Sequence, residues 1–250
     1  MADTDAQPRY VYGVVRDDVS PPAETGIAGA PLELVAARKV AALTSVAPDE
    51  YLEAGREELL THSRVLELAL EQGTVLPMRF GVVMPDAGTL RKRLLEGHRD
   101  ELVAQLAEMD GKVEIALKGL YEEAAILREI VAGDAEIAGL RTRIAGAPEA
   151  ATYYERIRLG ELVAAAFAAI GERDSAAIVE ALRPHAVAVA VGEPIHERMA
   201  VNASFLVDRA RLDAFDRAVE EVGRREAARV RLRLTGPLPP HSFVELGVAV

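Results

Sequence analysis

The strictest constraint on the fold lies in residues 229–245, RVRLRLTGPLPPHSFVE. Three apolar residues alternate there with three arginines, and the side chains of a strand project to opposite faces with period two. We therefore predict a half-buried strand, the last of a C-terminal sheet, whose apolar residues face a core. The arginines form a solvated face or a docking face for an acidic partner. The apolar set is Val230, Leu232 and Leu234, and the basic set is Arg229, Arg231 and Arg233.

A proline-rich segment follows this strand at once. Pro237, Pro239 and Pro240 remove backbone donors and fix φ. Neither a helix nor a central strand is expected to continue through such a segment, so we predict a stiff turn over residues 236–240.

The composition excludes several classes of function. A net charge of −11 over 250 residues argues against a nucleic-acid partner, because phosphates demand a basic surface. The absence of cysteine excludes disulfides, thiolate nucleophiles and thiolate metal sites. The N-terminal residues are polar and acidic, unlike a signal peptide, and no apolar run approaches the ~20 residues that span a bilayer. We expect a cytoplasmic protein that binds no membrane.

Hydrophobic periodicity predicts an α+β fold. The order is strand, hairpin, helix, strand, helix and strand, then a helical region, then strand, strand, helix and strand. This order is too irregular for a doubly wound parallel sheet. We predict two domains. Residues 1–119 form a ferredoxin-like α+β variant that ends in the strand 112–118, and residues 120–250 form an α+β domain that begins with a helical segment.

Several local features are specific enough to be compared with a structure. Residues 9–15 are apolar on both faces, as in a central strand, and residues 32–46 predict a hairpin that turns near Arg38. Asp86 and Asp208 each stand where an N-terminal cap of the following helix is expected.

The helical region contains one long helix with a regular apolar stripe. Such a stripe most often packs on the protein's own core, and it is also the pattern of a short coiled coil with a partner helix. The sequence alone leaves both arrangements open. The stripe consists of Leu159, Val163, Ala166 and Ile170, widened by Leu162 and Phe167.

The sequence shows no catalytic constellation. It has no nucleophile elbow, no phosphate-binding or dinucleotide-binding loop, and no histidine pair at metalloprotease spacing. His62 lies on the apolar stripe of a helix and is interpreted as a hydrogen-bonded histidine at the edge of the core. His185 and His196 leave a haem-ligating role open on residue type alone. We predict that the protein is not an enzyme and holds no cofactor.

Three features are typical of a binding surface: the loop 76–81, the basic face of the last strand, and the turn 236–243. Rigid prolines beside exposed apolar groups suit a preorganised contact, because little entropy is lost on docking. The alternative is a turn that packs internally and covers a sheet edge. The candidate interface residues are Pro77, Arg79, Phe80, Arg231, Arg233, Pro237, Pro239, Pro240, His241 and Phe243.

Short sequence blocks spread over most of the chain carry a resemblance to a known family. They are YVYGV at 10–14, GIAGAP at 26–31, His62 with Val65 and Leu66, TVLPMRFG at 74–81, KVE at 112–114 with Lys118, NASFLV at 202–207 and LTGPLPPHSFV at 234–244. In this order they resemble the gas vesicle protein F/L family (GvpF/GvpL). The blocks at 75–81 and 236–243 are the most specific. The family usually has a tyrosine where this chain has His241, which puts a contact of that side chain in doubt.

The resemblance implies an accessory or minor structural protein needed to assemble gas vesicles, the protein-shelled flotation organelles of prokaryotes. It implies two α+β domains, the first ferredoxin-like and the second with helices packed as a coiled coil. The implied partners are the small hydrophobic shell protein GvpA and other gas vesicle accessory proteins, and the implied location is the gas-facing side of the shell. No enzyme activity or cofactor is implied.

Two alternatives come from other classes of protein. One is an α+β-barrel haem enzyme or a ferredoxin-like ligand sensor that uses His185 or His196. The other is an RNA-binding module, which is disfavoured because the strand 112–118 lacks aromatic residues for stacking. The sequence does not distinguish an F-type from an L-type member and does not give the oligomeric state.

Overall fold

A computed structural model describes residues 6–48 and 55–245 of the chain. These residues form two compact units. The first holds the described residues up to Glu114, together with Asp208–Ala210 and the residues from Gly236 onward. The second holds Ile115–Val207 and Arg211–Thr235. The division into domains 1–119 and 120–250 stays a proposal, because compactness alone does not show independent folding.

The sheet of the first unit is built around a buried central strand, β1. Every residue of β1 except the last is buried, as its two apolar faces predict. The hairpin strand β3 pairs antiparallel with one side of β1, and β2 continues the sheet outward. Two short strands, β4 and β5, pair with successive parts of the other side. The strands are β1 (Arg9–Arg16), β2 (Glu33–Ala37), β3 (Val40–Val46), β4 (Val75–Pro77) and β5 (Val83–Met84).

The predicted hairpin and the predicted helix cap at Asp86 are confirmed. The pair Ala37–Val40 closes a two-residue turn, and Arg38 and Lys39 both have positive φ. The Asp86 carboxylate accepts a hydrogen bond from the Thr89 backbone N–H at 2.7 Å and so caps α2. The helices of this unit are α1 (Arg56–Gln72), α2 (Ala87–Leu90), which continues as a π-helical segment (Arg91–Glu96), and α3 (Arg99–Glu108).

The second sheet has the strand order β7-β8-β6-β9. Its strands are β6 (Lys112–Tyr121), β7 (Ala188–Val191), β8 (Met199–Asp208) and β9 (Val230–Leu238). β6 lies between β8 and β9 in this sheet. The assignment of the strand 112–118 to the end of the first domain stays a prediction. The α+β class is confirmed, and the ferredoxin-like description of the first domain stays a prediction.

The last strand departs from the sequence prediction in two ways. Val230 is buried, but Leu232 is only half-buried and Leu234 is 36% exposed, so the inward face is lost toward the C-terminal end. The strand also continues to Leu238 through a cis Gly236–Pro237 peptide bond instead of ending before the prolines. Because β9 is an edge strand, proline at 237 can lie in it without breaking the ladder of a central strand.

The helices of the second unit pack on its own core. The side chains of Ile126, Ile130, Ile137 and Ile170 join Tyr121 in one apolar cluster. The long helix contributes its whole predicted stripe to this cluster, which confirms the intramolecular interpretation of that stripe. The helices are α4 (Glu123–Gly133), α5 (Ala135–Ile144), α6 (Tyr153–Leu182) and α7 (Leu212–Glu226).

The predicted cap at Asp208 is wrong. Asp208 is the last residue of β8, and a 3₁₀ turn, Arg209–Arg211, separates it from α7. The residue at the N-terminal cap position of α7 is Arg211, and no side chain caps this helix end. The sequence pattern identified the helix but not the extra turn before it.

We expect the substitution Gly13→Ala to destabilise the first unit. A Cβ atom at this position of β1 would lie 2.7 Å from the Leu76 carbonyl oxygen, so one of the two paired strands must move. The expected loss in free energy of unfolding is about 2 kcal/mol, measured by denaturant titration.

Gly73→Ala is the matched control in the same unit. Its new Cβ would meet only the Val19 side chain at 3.9 Å, and its backbone is extended. We expect a change within about 0.5 kcal/mol. Equal effects of the two substitutions would contradict the close-approach explanation for Gly13.

Candidate functional site

A buried histidine lies at the centre of the first unit. His62, on α1, is 5% exposed. Its Nε2 lies 3.2 Å from the Met78 carbonyl oxygen, and because a carbonyl only accepts, this nitrogen is the donor. Nδ1 therefore accepts from the Tyr10 hydroxyl at 2.8 Å. That hydroxyl oxygen accepts in turn from the Gly81 backbone N–H at 3.1 Å.

This arrangement keeps His62 neutral. Burial lowers its pKa to about 4, against a partial offset from the hydrogen bond to Met78. Burial also raises the pKa of Tyr10, so its phenol keeps the proton that it donates. The sequence interpretation of His62 as a satisfied core histidine agrees with this geometry.

Tyr12 forms a second connection beside His62, with the two rings stacked at 5.6 Å. Its hydroxyl oxygen accepts from the Ile27 backbone N–H at 2.8 Å and bonds the Ser45 hydroxyl at 3.0 Å. A Cβ at Gly26 would lie 2.2 Å from this hydroxyl, so glycine is required there. The block 26–31 is thus held against β1 by the Tyr12 hydroxyl.

The loop after β4 presents few of its residues to solvent. Pro77 and Met78 are buried, Phe80 is half-buried and Arg79 is exposed. The Phe80 ring packs edge-on against Tyr10 and His62, with centroid distances of 6.0 and 5.7 Å. The Phe80 ring therefore holds the loop against Tyr10 and His62, and the Arg79 side chain points to solvent.

The C-terminal block is fastened by a buried carboxylate. Glu114, at the start of β6, is 4% exposed and accepts from both the backbone N–H and the hydroxyl of Ser242, at 2.8 and 2.7 Å. Pro239 and Pro240 are buried and Phe243 is half-buried. The stiff segment is thus packed on the first unit.

His241 brings the C-terminal block close to His62. After burial, a second and smaller lowering of the pKa of His62 comes from His241, so the two side chains lie within electrostatic range. His241 and Pro237 are themselves exposed. We call the outward surface of these two blocks, formed by Arg79, Phe80, Pro237, His241 and Phe243, the motif surface. Pro77, Pro239 and Pro240 lie beneath it.

The arginines of β9 belong to the second unit and have different surroundings. Arg229 lies 2.8 Å from both Asp174 and Glu129, which the sequence did not anticipate. Arg231 pairs with Glu122 at 2.6 Å, and Arg233 is exposed without an ion pair among the described residues. Only the last two of these arginines offer charge to solvent.

Asp174, on α6, is the buried member of a cluster that also contains Tyr121, Glu129 and Arg229. Asp174 is 7% exposed and accepts from the Tyr121 hydroxyl at 2.9 Å as well as from Arg229. Burial by itself would lower the pKa of Arg229, but its hydrogen bonds to Glu129 and Asp174 raise it. The sequence signal for this cluster was a lone acid, Asp174, facing the apolar side of a long helix.

No metal site is found in the part of the chain that the structure describes. Residues 6–48 and 55–245 contain no group of three or more histidine, aspartate or glutamate side chains placed to hold an ion. His185 is half-buried and His196 lies exposed in the loop after β7. Among the described helices none is long and apolar enough to cross a membrane.

A family model described as gas vesicle synthesis protein GvpL/GvpF matches residues 8–245. The chain belongs to this family. It is 37% identical over 242 residues to gas vesicle protein F of Streptomyces sp. (strain CB03234), covering 94% of this chain and 99% of that protein. It is 31% identical over 256 residues to gas vesicle protein L of the same strain, covering 94% and 92%.

Solved structures of GvpF share the fold. The crystal structure of GvpF from Anabaena sp. PCC7120 matches with a TM-score of 0.82 at 24% identity, over 96% of this chain and 98% of that one. GvpF from Microcystis aeruginosa gives a TM-score of 0.78 at 23% identity, over 96% and 99%. The role of this protein is related to gas vesicles, as its membership of the GvpL/GvpF family and its identity to gas vesicle protein F show.

Most of the blocks that pointed to the GvpL/GvpF family have structural roles. Tyr10, Tyr12 and His62 form the buried connections around β1, and Glu114 accepts two hydrogen bonds from Ser242. Their side chains are committed to partners within the chain. The exposed members of the motif surface are the ones available to another molecule.

We expect the free energy of unfolding to decrease as the pH is lowered, because of His62. The unfolded imidazole takes up a proton near pH 6.5, whereas the folded one, with a pKa of about 4, does not. This stabilisation is fully present above pH 6.5 and is lost as pH falls to 4, by at most about 3 kcal/mol.

His62→Gln keeps a donor and an acceptor and cannot titrate. Between pH 6.5 and 4 the slope of the unfolding free energy against pH includes the uptake of about one proton by His62, and we expect this contribution to be absent from the variant. The other four histidines are present in both proteins. Denaturant titrations at several pH values measure this slope. An unchanged slope would rule out a suppressed protonation at His62.

We expect Asp174→Asn to destabilise the second unit by about 2 kcal/mol, since it weakens charged hydrogen bonds from Arg229 and Tyr121 while Glu129 still pairs with Arg229. Glu180→Gln on the same helix is the control. It removes an exposed pair with Arg183 and should change the unfolding free energy by about 0.5 kcal/mol or less. Similar losses in the two variants, measured by denaturant titration, would contradict a buried cluster.

Proposed function

We propose that this protein is a non-enzymatic assembly factor and minor component of gas vesicles that binds the small hydrophobic shell protein GvpA. Membership of the GvpL/GvpF family supports a role in gas vesicles. The proposed binding partners include other gas vesicle accessory proteins, and the proposed location is the gas-facing side of the shell.

The observation that carries this proposal is the approach of two sequence blocks to the same buried histidine. The loop 77–81 and the segment 236–243 are far apart in the sequence, yet both approach His62. Their buried residues hold them rigidly, which limits the entropy lost when a partner docks. The motif surface combines the exposed cation Arg79 with half-buried aromatic rings of Phe80 and Phe243.

This combination suits a protein partner. Aromatic and arginine side chains supply most of the binding energy at protein interfaces, because they bury apolar area and keep a polar end. His62 lies beneath this surface, and both of its ring nitrogens are hydrogen-bonded, to Tyr10 and to Met78, so it is not free to act as a base. Binding is therefore favoured over catalysis as its role.

The role in assembly is tested by deleting the gene in a host that makes gas vesicles. We expect few or no vesicles in the deletion strain, and recovery when the wild-type gene is restored. Normal vesicles in the deletion strain would overturn the proposed assembly role.

The binding surface is tested by capture of GvpA on the immobilised full chain. Arg79→Glu and His241→Glu change exposed side chains of the motif surface, and each should reduce capture by about tenfold, or about 1.4 kcal/mol. Arg64→Glu, an exposed charge reversal on α1, is the control and should capture normally. With circular dichroism unchanged, full capture by both motif-surface variants would show that GvpA binds elsewhere, and no capture by the wild-type chain would overturn the proposed binding.

A further inference from the structure

The tip of the β2–β3 hairpin has an unusual sequence for its conformation. Arg38 and Lys39 have φ of 34° and 75°, so both lie in the left-handed region. Two-residue hairpin turns with positive φ at both positions strongly prefer Asn-Gly or Asp-Gly, because other residues are strained there. Here the turn has two long cations instead. Strain of this kind persists where the surrounding structure holds it and is often found at functional positions.

The two cations form the rim of a surface groove. Arg38 and Lys39 line a groove of about 430 Å³ together with Arg99 and Val103 of α3. Lys39 and Val103 also line an adjoining groove of about 340 Å³, whose apolar floor continues to Leu106. We call these two connected depressions the cationic groove. It has charged walls and an apolar floor.

Two further arginines lie close to the groove or to the hairpin tip. Arg16, at the end of β1, lines the second depression. Arg91, in the π-helical segment, donates from Nε to the Ala36 carbonyl oxygen at 3.1 Å, two residues before the hairpin tip. In residues 6–48 and 55–245 only Arg99 of these five cations has an ion pair, with Asp100 at 3.3 Å. The other cations are Arg16, Arg38, Lys39 and Arg91.

The acids of this face do not neutralise it. Asp17 accepts from the Lys39 backbone N–H at 2.7 Å, so it holds the strained turn in place. Asp100 pairs with Arg99, and Asp18 is the third carboxylate. Four cations of the groove lining, Arg16, Arg38, Lys39 and Arg99, thus face three carboxylates on a chain whose net charge is −11. The local charge has the opposite sign to that of the whole protein.

We propose that the cationic groove binds an acidic segment of a partner protein. Carboxylates of that segment pair with Arg16, Arg38 and Arg99, since guanidinium groups bind carboxylates through paired N–H donors. An apolar side chain of the same segment rests on Val103 and Leu106. A long polyphosphate is disfavoured because the floor is apolar, three carboxylates line the face, and the whole chain repels polyanions.

This site shares no residue with the motif surface and does not depend on the binding of GvpA. The Arg38–Lys39 turn is then explained by its function: it holds two cations over the groove in a conformation that Asn-Gly would adopt with less strain. The same argument predicts that stability and binding respond in opposite directions to a change at this turn.

Fluorescence anisotropy with the full chain tests the proposal. The probe is a short labelled peptide of glutamates interspersed with leucines, and its control has glutamine for each glutamate. We expect the glutamate peptide to bind at least tenfold more tightly at low salt and to be released as salt rises. Arg38→Glu and Arg99→Glu should each weaken binding at least tenfold, and Arg64→Glu should not.

A turn variant separates binding from folding. Arg38→Asn combined with Lys39→Gly should raise Tm by a few degrees and weaken binding of the glutamate peptide at least fivefold. A lower Tm would contradict the strained turn. Absence of binding, equal binding of both peptides, or Arg38-dependent binding only to single-stranded DNA or to anionic vesicles would overturn the proposed acidic protein ligand.

Discussion

The burial of a neutral histidine is the constraint on which the first unit depends. His62 is buried, so each of its polar ring atoms requires a hydrogen-bond partner. Tyr10 and Met78 provide those partners, and Gly81 completes the set by donating to Tyr10. The helix α1, the central strand and the loop after β4 are therefore fixed relative to one another by one chain of hydrogen bonds. A single loss would leave several buried groups unpaired.

The second unit achieves the same specificity with charges. Asp174 is held by Tyr121 and Arg229, and Arg229 is shared with Glu129, so a strand and two helices are joined through ion pairs. Buried ion pairs contribute less net stability than their Coulomb attraction indicates, because both charges lose water. Their effect is to penalise other arrangements of α4 and α6 in which Asp174 would be unpaired. The sequence places this acid on the inner side of an otherwise apolar stripe.

The sequence predicted the structural features that depend on neighbouring residues. It did not predict those that depend on contacts between distant segments. Alternation and helical spacing identified β1, the hairpin and the stripe of α6, because periodicity is a local property. They could not show that β6 pairs between β8 and β9, since strand pairing across such distances leaves no local pattern. At the candidate site, the sequence singled out the blocks 76–81 and 236–243 by their prolines, and their role as an interface stays a prediction. The sequence could not show that Pro239 is buried or that Arg229 has acidic partners.

The hydrogen bonds within the chain limit which side chains are available to bind a partner. A residue whose polar atoms are all consumed within the chain, such as His62 or Glu114, has nothing left to offer a partner. Arg79 and Arg38 differ, because each places a long cation in solvent on a backbone that other residues hold rigid. The net charge of the chain is −11, so an exposed cation without an ion pair loses no hydration and is not repelled by the rest of the protein. Such a cation attracts acidic molecules. Both proposed recognition surfaces therefore depend on outward arginines supported by a buried, hydrogen-bonded framework.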